Sequence, residues 1–315
     1  MRILFFGTSD FAVPTLEALV ASEKHQVIAV VTQPDRPCGR GQHVAASPVK
    51  AAALRHGLEV LQPHRVRTPG FLELARALKP DVLVLAAFGQ IIPQELLDLP
   101  PFGPINVHAS LLPAYRGAAP IQRALMNGET VTGVTTMWMD ATLDTGDILL
   151  MRTVPIDPDD TTGTLTPKLA QVGAELLLET LARLETGQCP RIPQDHSKAT
   201  YAPAITPEDT IVRWEEPATR IRNRIRALSP RPGAFAEIKG RRVKLWWGRV
   251  EEEHSAEPGV VCALTKEGIA IGTGSGIFVL TEAQPENGRR MGAAEWARGA
   301  RIAVGDRFAT GVQIP

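Results

Sequence analysis

The sequence predicts a two-part α/β chain: a Rossmann-like parallel-sheet domain at the N-terminus, then a small C-terminal β-barrel domain of OB-like type. Three observations carry that reading. Residues 2–6 and 27–32 are short apolar runs flanking a helical pattern of Phe11, Val13, Leu16, Leu19 and Val20, a spacing that suits a parallel βαβ unit. Residues 81–88, DVLVLAAF, are apolar almost throughout, as in a central strand covered on both faces. Beyond residue 207 one short helical pattern precedes several short strands separated by turn residues, which suits a small barrel. At 315 residues, with 44% hydrophobic and 22% charged, the chain has material for two soluble domains.

The elements follow in order. Gly7 ends the first strand, and Ser9 or Asp10 suits a helix N-cap. The turn GTSDFA lacks GxGxxG, so a dinucleotide fingerprint is absent. The polar stretch QPDRPCGRGQHVAASP, 33–48, is long for a loop inside a domain and reads as functional or disordered. Helices are expected over 48–56 and 69–78, with a short strand over 58–61 between them. PINVHAS, 104–110, reads as a strand; its alternation puts Asn106 and His108 on one face. A helix opens at 116–120 and runs to about 127. Residues 131–139 and 148–154 form a hairpin across the loop ATLDTGD. Leu165, Leu169, Val172, Leu176, Leu177, Leu181 and Leu184 recur at the helical period over 162–186, and Gly187 stops that helix. The Pro-rich polar segment after it reads as a linker. A helix over 218–228 and strands over 233–238, 242–250, 259–264, 268–272 and 277–282 complete the chain. The expected boundaries are 1–188, a linker at 189–206, and 207–315.

Formal net charge is zero, with 34 basic and 34 acidic residues, but the charge is unevenly placed. From residue 207 onward there are 17 basic against 14 acidic residues, and within 213–249 there are 11 against 3. Such a stretch is either a solvated basic face or a surface for phosphates. Cys38, Cys189 and Cys262 match no metal spacing and read as reduced thiols of a cytosolic protein. No histidine pair has HxxxH or HExxH spacing, so no metal is expected. The N-terminal apolar run is too short for a signal core, and no apolar run is long enough for a membrane span.

Chemistry concentrates in residues 106–147. An amide and an imidazole share a strand face, at the strand end where α/β folds bind ligands. Asp140, Asp144 and Asp147 follow, and spacing alone does not choose a catalytic carboxylate over turn-forming ones. Arg116 is either a salt-bridged helix start or a support for the turn before it. Met137, Trp138 and Met139 read as core. Of Trp246 and Trp247, strand alternation turns only one outward.

The stretch NVHASLLPAYRGAAPIQRALMNGETVTGVTTMWMDATLDTGDIL resembles the formyltransferase family that uses 10-formyltetrahydrofolate. FFGTSDFAVPTLEAL, TQPDRPCGRGQHVAASPVK and IRNRIRALSPRPGAFAEIKGRRVKLW are similar to the tRNA-directed branch of that family, so the likeness covers nearly the full length. The resemblance implies formyl transfer from 10-formyltetrahydrofolate, as co-substrate, to the α-amine of methionyl initiator tRNA, by a cytoplasmic monomer. It implies a catalytic trio of Asn106, His108 and Asp144. It assigns Ser110, Leu111, Leu112 and Pro113 to a folate-contacting turn, and Phe88, Gly89, Gln90 and Ile91 to the pterin pocket. It places Arg36 and Arg40 on a loop that enters the acceptor stem. Arg220, Arg224, Arg242 and Lys244 are the candidates for phosphate contacts in the barrel domain. Two departures stand out. Ala114-Tyr115 occupies positions where arginine or lysine followed by tryptophan is common, and Gln42-His43 replaces a more basic pair.

Such a transfer sets three tasks: deprotonating the amine, stabilising an oxyanion, and protonating the leaving folate nitrogen. His108 has a suitable reference pKa, about 6.5. Asn106 offers a charge-free amide donor, and Asp144 can orient His108. No protein nucleophile is expected.

Overall fold

The computed structural model describes residues 1–38 and 43–309; Arg40 and Gln42 lie outside them. Contacts divide the chain into two units. The first comprises Met1–Pro120, Val131–Pro155 and Thr166–Pro203, and the second Ile121–Thr130, Ile156–Leu165 and the chain from Ala204 onward.

The first unit holds β1 (Arg2–Gly7), β2 (Gln26–Val31), the small ribbon β3 (Arg36–Cys38) and β4 (His43–Ala45), β5 (Val60–Leu61), β6 (Val82–Ala86), β7 (Pro104–His108), β8 (Val131–Trp138) and β9 (Ile148–Pro155). Apart from the ribbon they form one sheet in the order β5-β2-β1-β6-β7-β8-β9. From β5 to β7 every pairing is parallel; β8 and β9 are antiparallel additions, so the sheet is mixed. Its helices are α1 (Val13–Ala21), α2 (Pro48–Arg55), α3 (Pro69–Leu78) and α4 (Gln94–Leu97). α5 (Pro120–Asn127) falls almost wholly in the second unit, and α6 (Thr162–Glu185) runs from the second into the first.

The central strands are buried on both faces, which explains why β1 and β6 show no polar alternation. Leu4, Phe6, Ala29, Val31, Leu83 and Leu85 of one face pack with Phe71 and Ala75 of α3 and with Leu96 and Leu97 of α4. On the other face α6 comes close because residue 173 is glycine. A Cβ there would stand 2.8 Å from Val107 Cγ1 and 3.4 Å from Val134 Cγ1. Ser47 caps α2 through Lys50 N (3.0 Å), and its hydroxyl meets Thr32 Oγ1 (2.7 Å), which fixes the far end of the 33–48 loop.

The segment expected as a linker, 189–206, is bonded into the first unit over most of its length. Ile192 exchanges two backbone hydrogen bonds with Ile148 (2.8 and 2.9 Å), Thr200 O accepts from Arg116 N (2.9 Å), and Ala202 bonds Arg116 and Ala119. Proline and polar residues suggested a tether, but here they satisfy backbone groups of the 113–119 turn.

In the second unit, β10 (Ala234–Ile238), β11 (Arg241–Glu251), β12 (Val261–Leu264), β13 (Ile269–Gly272) and β14 (Ile277–Pro285) form a sheet ordered β10-β11-β14-β13-β12, with β15 (Met291–Gly292) added to β14. The gap between its edges is bridged late in the chain: Phe308 pairs with Ile238, and Arg307 with Val260. This closure gives the expected small barrel. Trp214, Phe278 and Phe308 fill it, with Trp214 and Phe308 ring centres 5.0 Å apart. α7 (Ala218–Leu228) has the predicted span, whereas α8 (Ala293–Ala300) was not foreseen: it carries one large apolar residue, Trp296. Trp246 is buried with Nε1 on Gln284 Oε1 (3.0 Å), and Trp247 is half-buried with the Arg222 guanidinium over its ring.

Candidate active site

Asn106 and His108 sit on β7, with Ile105 and Val107 buried against the opposite side of the sheet. The Asn106 side chain is half-buried, and its amide has no hydrogen-bond partner among the described residues. His108 is only 6% exposed. Its Nε2 lies 3.0 Å from Tyr115 O, a pure acceptor, so that nitrogen carries a proton. Its Nδ1 faces Asp144 Oδ2 at 3.8 Å.

Asp144 reaches His108 by an indirect path. The 139–147 loop leaves β8 beside the start of β7, where Met139 N bonds Pro104 O (2.8 Å), and folds back toward the strand's far end. Two residues make the path possible. Asp144 itself adopts a left-handed backbone, φ 53°, a conformation that costs about 1 kcal/mol or more in a residue with a Cβ. Gly146 passes so close to β8 that a Cβ there would overlap Trp138 O. The neighbouring aspartates are engaged elsewhere. Asp140 accepts from Thr142 N (3.0 Å) and Thr145 Oγ1 (2.7 Å), and Asp147 accepts from Arg191 Nε (3.0 Å). Asp144 Oδ2 accepts from Gly117 N (2.8 Å).

The 110–117 turn is rigidly held. Ser110 Oγ donates to Ala114 O (2.6 Å), so its hydroxyl proton is committed and no base adjoins it. Thr135 Oγ1 donates to Ser110 O (2.7 Å) and accepts from Leu112 N (3.2 Å). Leu112-Pro113 is a cis peptide. Tyr115, with φ 60°, is pinned by its N–H to Thr200 Oγ1 (2.8 Å), which places its carbonyl on His108. The pair Ala114-Tyr115 thus contributes backbone, not side-chain charge, to the site.

The 87–93 loop continues β6, the strand beside β7. Phe88 is buried, edge-on to Phe6 at 5.3 Å, and its carbonyl accepts from Thr8 Oγ1 (2.9 Å) and Gln33 Nε2 (3.1 Å). Gly89 is exposed with φ 83°, and its carbonyl also accepts from Gln33 Nε2 (3.0 Å). Gln90 Oε1 receives Val66 N (3.1 Å). Ile91 is 86% exposed, and Leu143, on the Asp144 loop, is 61% exposed.

The other expected residues divide by what they touch. Arg36 is exposed and donates to Gln33 Oε1 (2.8 Å). In the second unit Arg220 is exposed; Arg224 donates to Glu216 (2.8 and 2.9 Å) and Asp209 O. Lys244 donates to Pro232 O (3.0 Å) over the Phe235 ring, and Arg242 lines a cavity of about 370 Å³ with Ile205, Ile211, Pro232 and Phe235. Sequence reasoning missed Gln33, Gln194 and Thr200, polar residues from distant segments that hold the site loops. Lone polar residues in Pro-rich stretches carry no periodic signal.

Residues 1–181 match the formyl transferase family, and residues 204–301 match the formyl transferase C-terminal domain. The methionyl-tRNA formyltransferase of Acetivibrio thermocellus is 48% identical over 308 residues, covering 97% of this chain and 99% of its own. That of Symbiobacterium thermophilum is 49% identical over 311 residues, covering 98% and 95%. HypX of Aquifex aeolicus, solved in complex with tetrahydrofolic acid, is alike in fold, with a TM-score of 0.62 at 23% identity over 96% of this chain and 48% of that one. The family match spans more than half of the sequence and includes β7, the 110–117 turn and the 139–147 loop: the chain belongs to the formyl transferase family.

Proposed function

We infer that this chain transfers the formyl group of 10-formyltetrahydrofolate to the α-amino group of methionyl initiator tRNA, giving N-formylmethionyl-tRNA for translation initiation. The observation that carries this is the likeness, at 48–49% identity over nearly all of both chains, to relatives named methionyl-tRNA formyltransferase.

We assign the chemistry to Asn106, His108 and Asp144. Bound 10-formyltetrahydrofolate supplies the formyl carbon and leaves through its N10. Attack by the neutral amine forms the new N–C bond, and the bond from N10 to the formyl carbon breaks. Asn106, whose amide meets no partner among the described residues, is suited to the charge that develops on the formyl oxygen. Asp144, facing Nδ1, is placed to orient the His108 ring, so that the pair can hold the amine's proton and return it to the leaving nitrogen. The proton balance closes without another acid. Ile91, Leu143 and the 110–113 turn are proposed to receive the pterin.

Arg36 and Arg40 of the 33–48 loop, with Arg220, Arg242 and Lys244, are proposed for the tRNA phosphates. Arg224, paired with Glu216, serves the fold of its own unit in this reading. We further propose that the protein acts as a monomer in the cytoplasm. No helix among the described residues is long and apolar enough to cross a membrane.

The test offers the formyl donor with three acceptors in parallel: methionyl initiator tRNA, the same tRNA uncharged, and a nucleotide-linked amino sugar. Transfer is expected to the charged tRNA alone. Preference for the amino sugar would overturn the assignment.

A further inference from the structure

Arg116 is 2% exposed, yet its guanidinium meets neutral partners. Nε and Nη2 donate to Gln194 Oε1 (3.1 and 2.6 Å), and Nη2 lies 3.1 Å from His196 Nδ1. Arginine only donates, so Nδ1 accepts and the His196 proton resides on Nε2. Gln194, itself 5% exposed, spends both amide protons on the catalytic loop: Nε2 donates to Asp144 O (2.9 Å) and to Gly146 O (2.7 Å).

The same short segment also holds the other end of Asp144. Gly117, next to Arg116, donates its N–H to the Asp144 carboxylate (2.8 Å). Gly117 is at φ 121°, and a Cβ there would stand 2.7 Å from Ala202 O. Arg116 in turn is locked by backbone bonds to Thr200 O (2.9 Å) and from Ala202 N (2.7 Å). Asp144 therefore has its side chain tied to residue 117 and its backbone tied, through Gln194, to residue 116. Its left-handed backbone is unfavourable alone and persists only when its surroundings over-determine it. Gln194 bonds the carbonyls on both sides of Thr145, where that backbone must be held.

We propose that Arg116 and Gln194 are a positioning pair that sets the Asp144 carboxylate against His108, with the buried arginine orienting the glutamine and the glutamine fixing the 144–146 backbone. The proposal rests on Asp144 acting with His108 in formyl transfer. Both side chains are almost fully buried and act through the 144–146 backbone.

The discriminating variant is Gln194→Glu. It keeps an oxygen for Arg116, and even adds an ion pair, but removes both donors to the loop. If Gln194 only satisfied a buried charge, the variant would match wild type in turnover. The expected result is a kcat lower by about tenfold to a hundredfold at temperatures where the variant is folded, the scale of a small misplacement of a reacting group, with KM for both substrates nearly unchanged. An unchanged kcat overturns the proposal. Asp144→Asn separates the premise from the inference, because near-normal turnover in that variant sinks the premise instead. In the double variant, Gln194→Glu is expected to add no further loss to Asp144→Asn, since it acts through that carboxylate. A multiplicative loss would show that Gln194 acts elsewhere and would also overturn the proposal.

Discussion

Asp144 owes its place to residues that lie far away in sequence. It has a left-handed backbone, a carboxylate on Gly117 N and a carbonyl on Gln194, and it ends 3.8 Å from His108. On the proposed roles, His108→Ala should lower kcat by about a hundredfold to ten-thousandfold, the range for losing a general acid–base group. The donor's KM should stay close to wild type; steady-state kinetics with each substrate varied reads both. Asn106→Ala should cost about 3 kcal/mol of barrier, as for loss of one oxyanion donor. Near-normal turnover in either variant removes that residue from the mechanism. Of these residues the sequence discloses Asn106 and His108 directly, because strand alternation puts them on one face. Asp144 stands among three aspartates on one loop, and only the hydrogen bonds separate it from Asp140 and Asp147. Arg116 was open between two roles because its partners, 78 and 80 residues away, leave no local pattern.

Helix α7 shows the same limit at the scale of an element. Its span and its two basic rows, 220/224 and 222/226, follow from helical spacing. What the rows face does not. Arg226 is 4% exposed; it donates to Asp157 O (3.2 Å), Pro158 O (2.6 Å) and Asn223 Oδ1 (3.2 Å), and burial, with Arg222 nearby, holds its guanidinium below the ordinary arginine range. Arg222 bonds Pro158 O and Asp159. Three of the four arginines therefore hold their own unit together. Arg226→Ala should destabilise the chain by about 2–4 kcal/mol in denaturant unfolding, because buried carbonyls lose a charged donor. Arg220→Ala should leave stability within about 0.5 kcal/mol and raise KM for tRNA. The reverse pattern would mean that the outward arginine is not the one that meets phosphate. β15 is only two residues long, and α8 is short and Ala/Gly-rich with Trp296 alone to mark a face, so neither has a legible period.

At the scale of the whole molecule, charge acts in two ways. Several carboxyls are held below their usual range by partners: Asp209 by Arg123, Asp35 by Lys50 and Gln62, and Asp306 by Lys239. Such a group stabilises the fold above its unfolded pKa, and that contribution is lost as pH falls through the folded value. Stability should therefore be level near neutrality and decline below about pH 4. Asp209→Asn should be less stable than wild type at pH 7 by about 2 kcal/mol, and the difference should shrink at pH 3. A difference that grows on acidification contradicts the pairing. The second action is long-range. Zero net charge hides the basic 213–249 stretch, and added salt should raise KM for tRNA steeply while leaving the folate KM nearly flat. The two-part fold was legible because apolar runs and short turn-bounded strands are local signals. The bonding of 189–203 to the first unit was not, since it depends on partners such as Ile148 and Arg116 that no sequence period announces.

In the function inferred for it, this chain moves a formyl group from a reduced folate to the amine of a charged initiator tRNA. The most direct measurement is a single-turnover reaction with 10-formyltetrahydrofolate labelled in the formyl carbon and methionyl initiator tRNA, followed by release and analysis of the amino acid. Label is predicted to appear as N-formylmethionine in one kinetic phase and to appear about a hundredfold or more slowly in His108→Ala. Label that stays on the folate, is released as free formate, or leaves the methionine amine unmodified would contradict it.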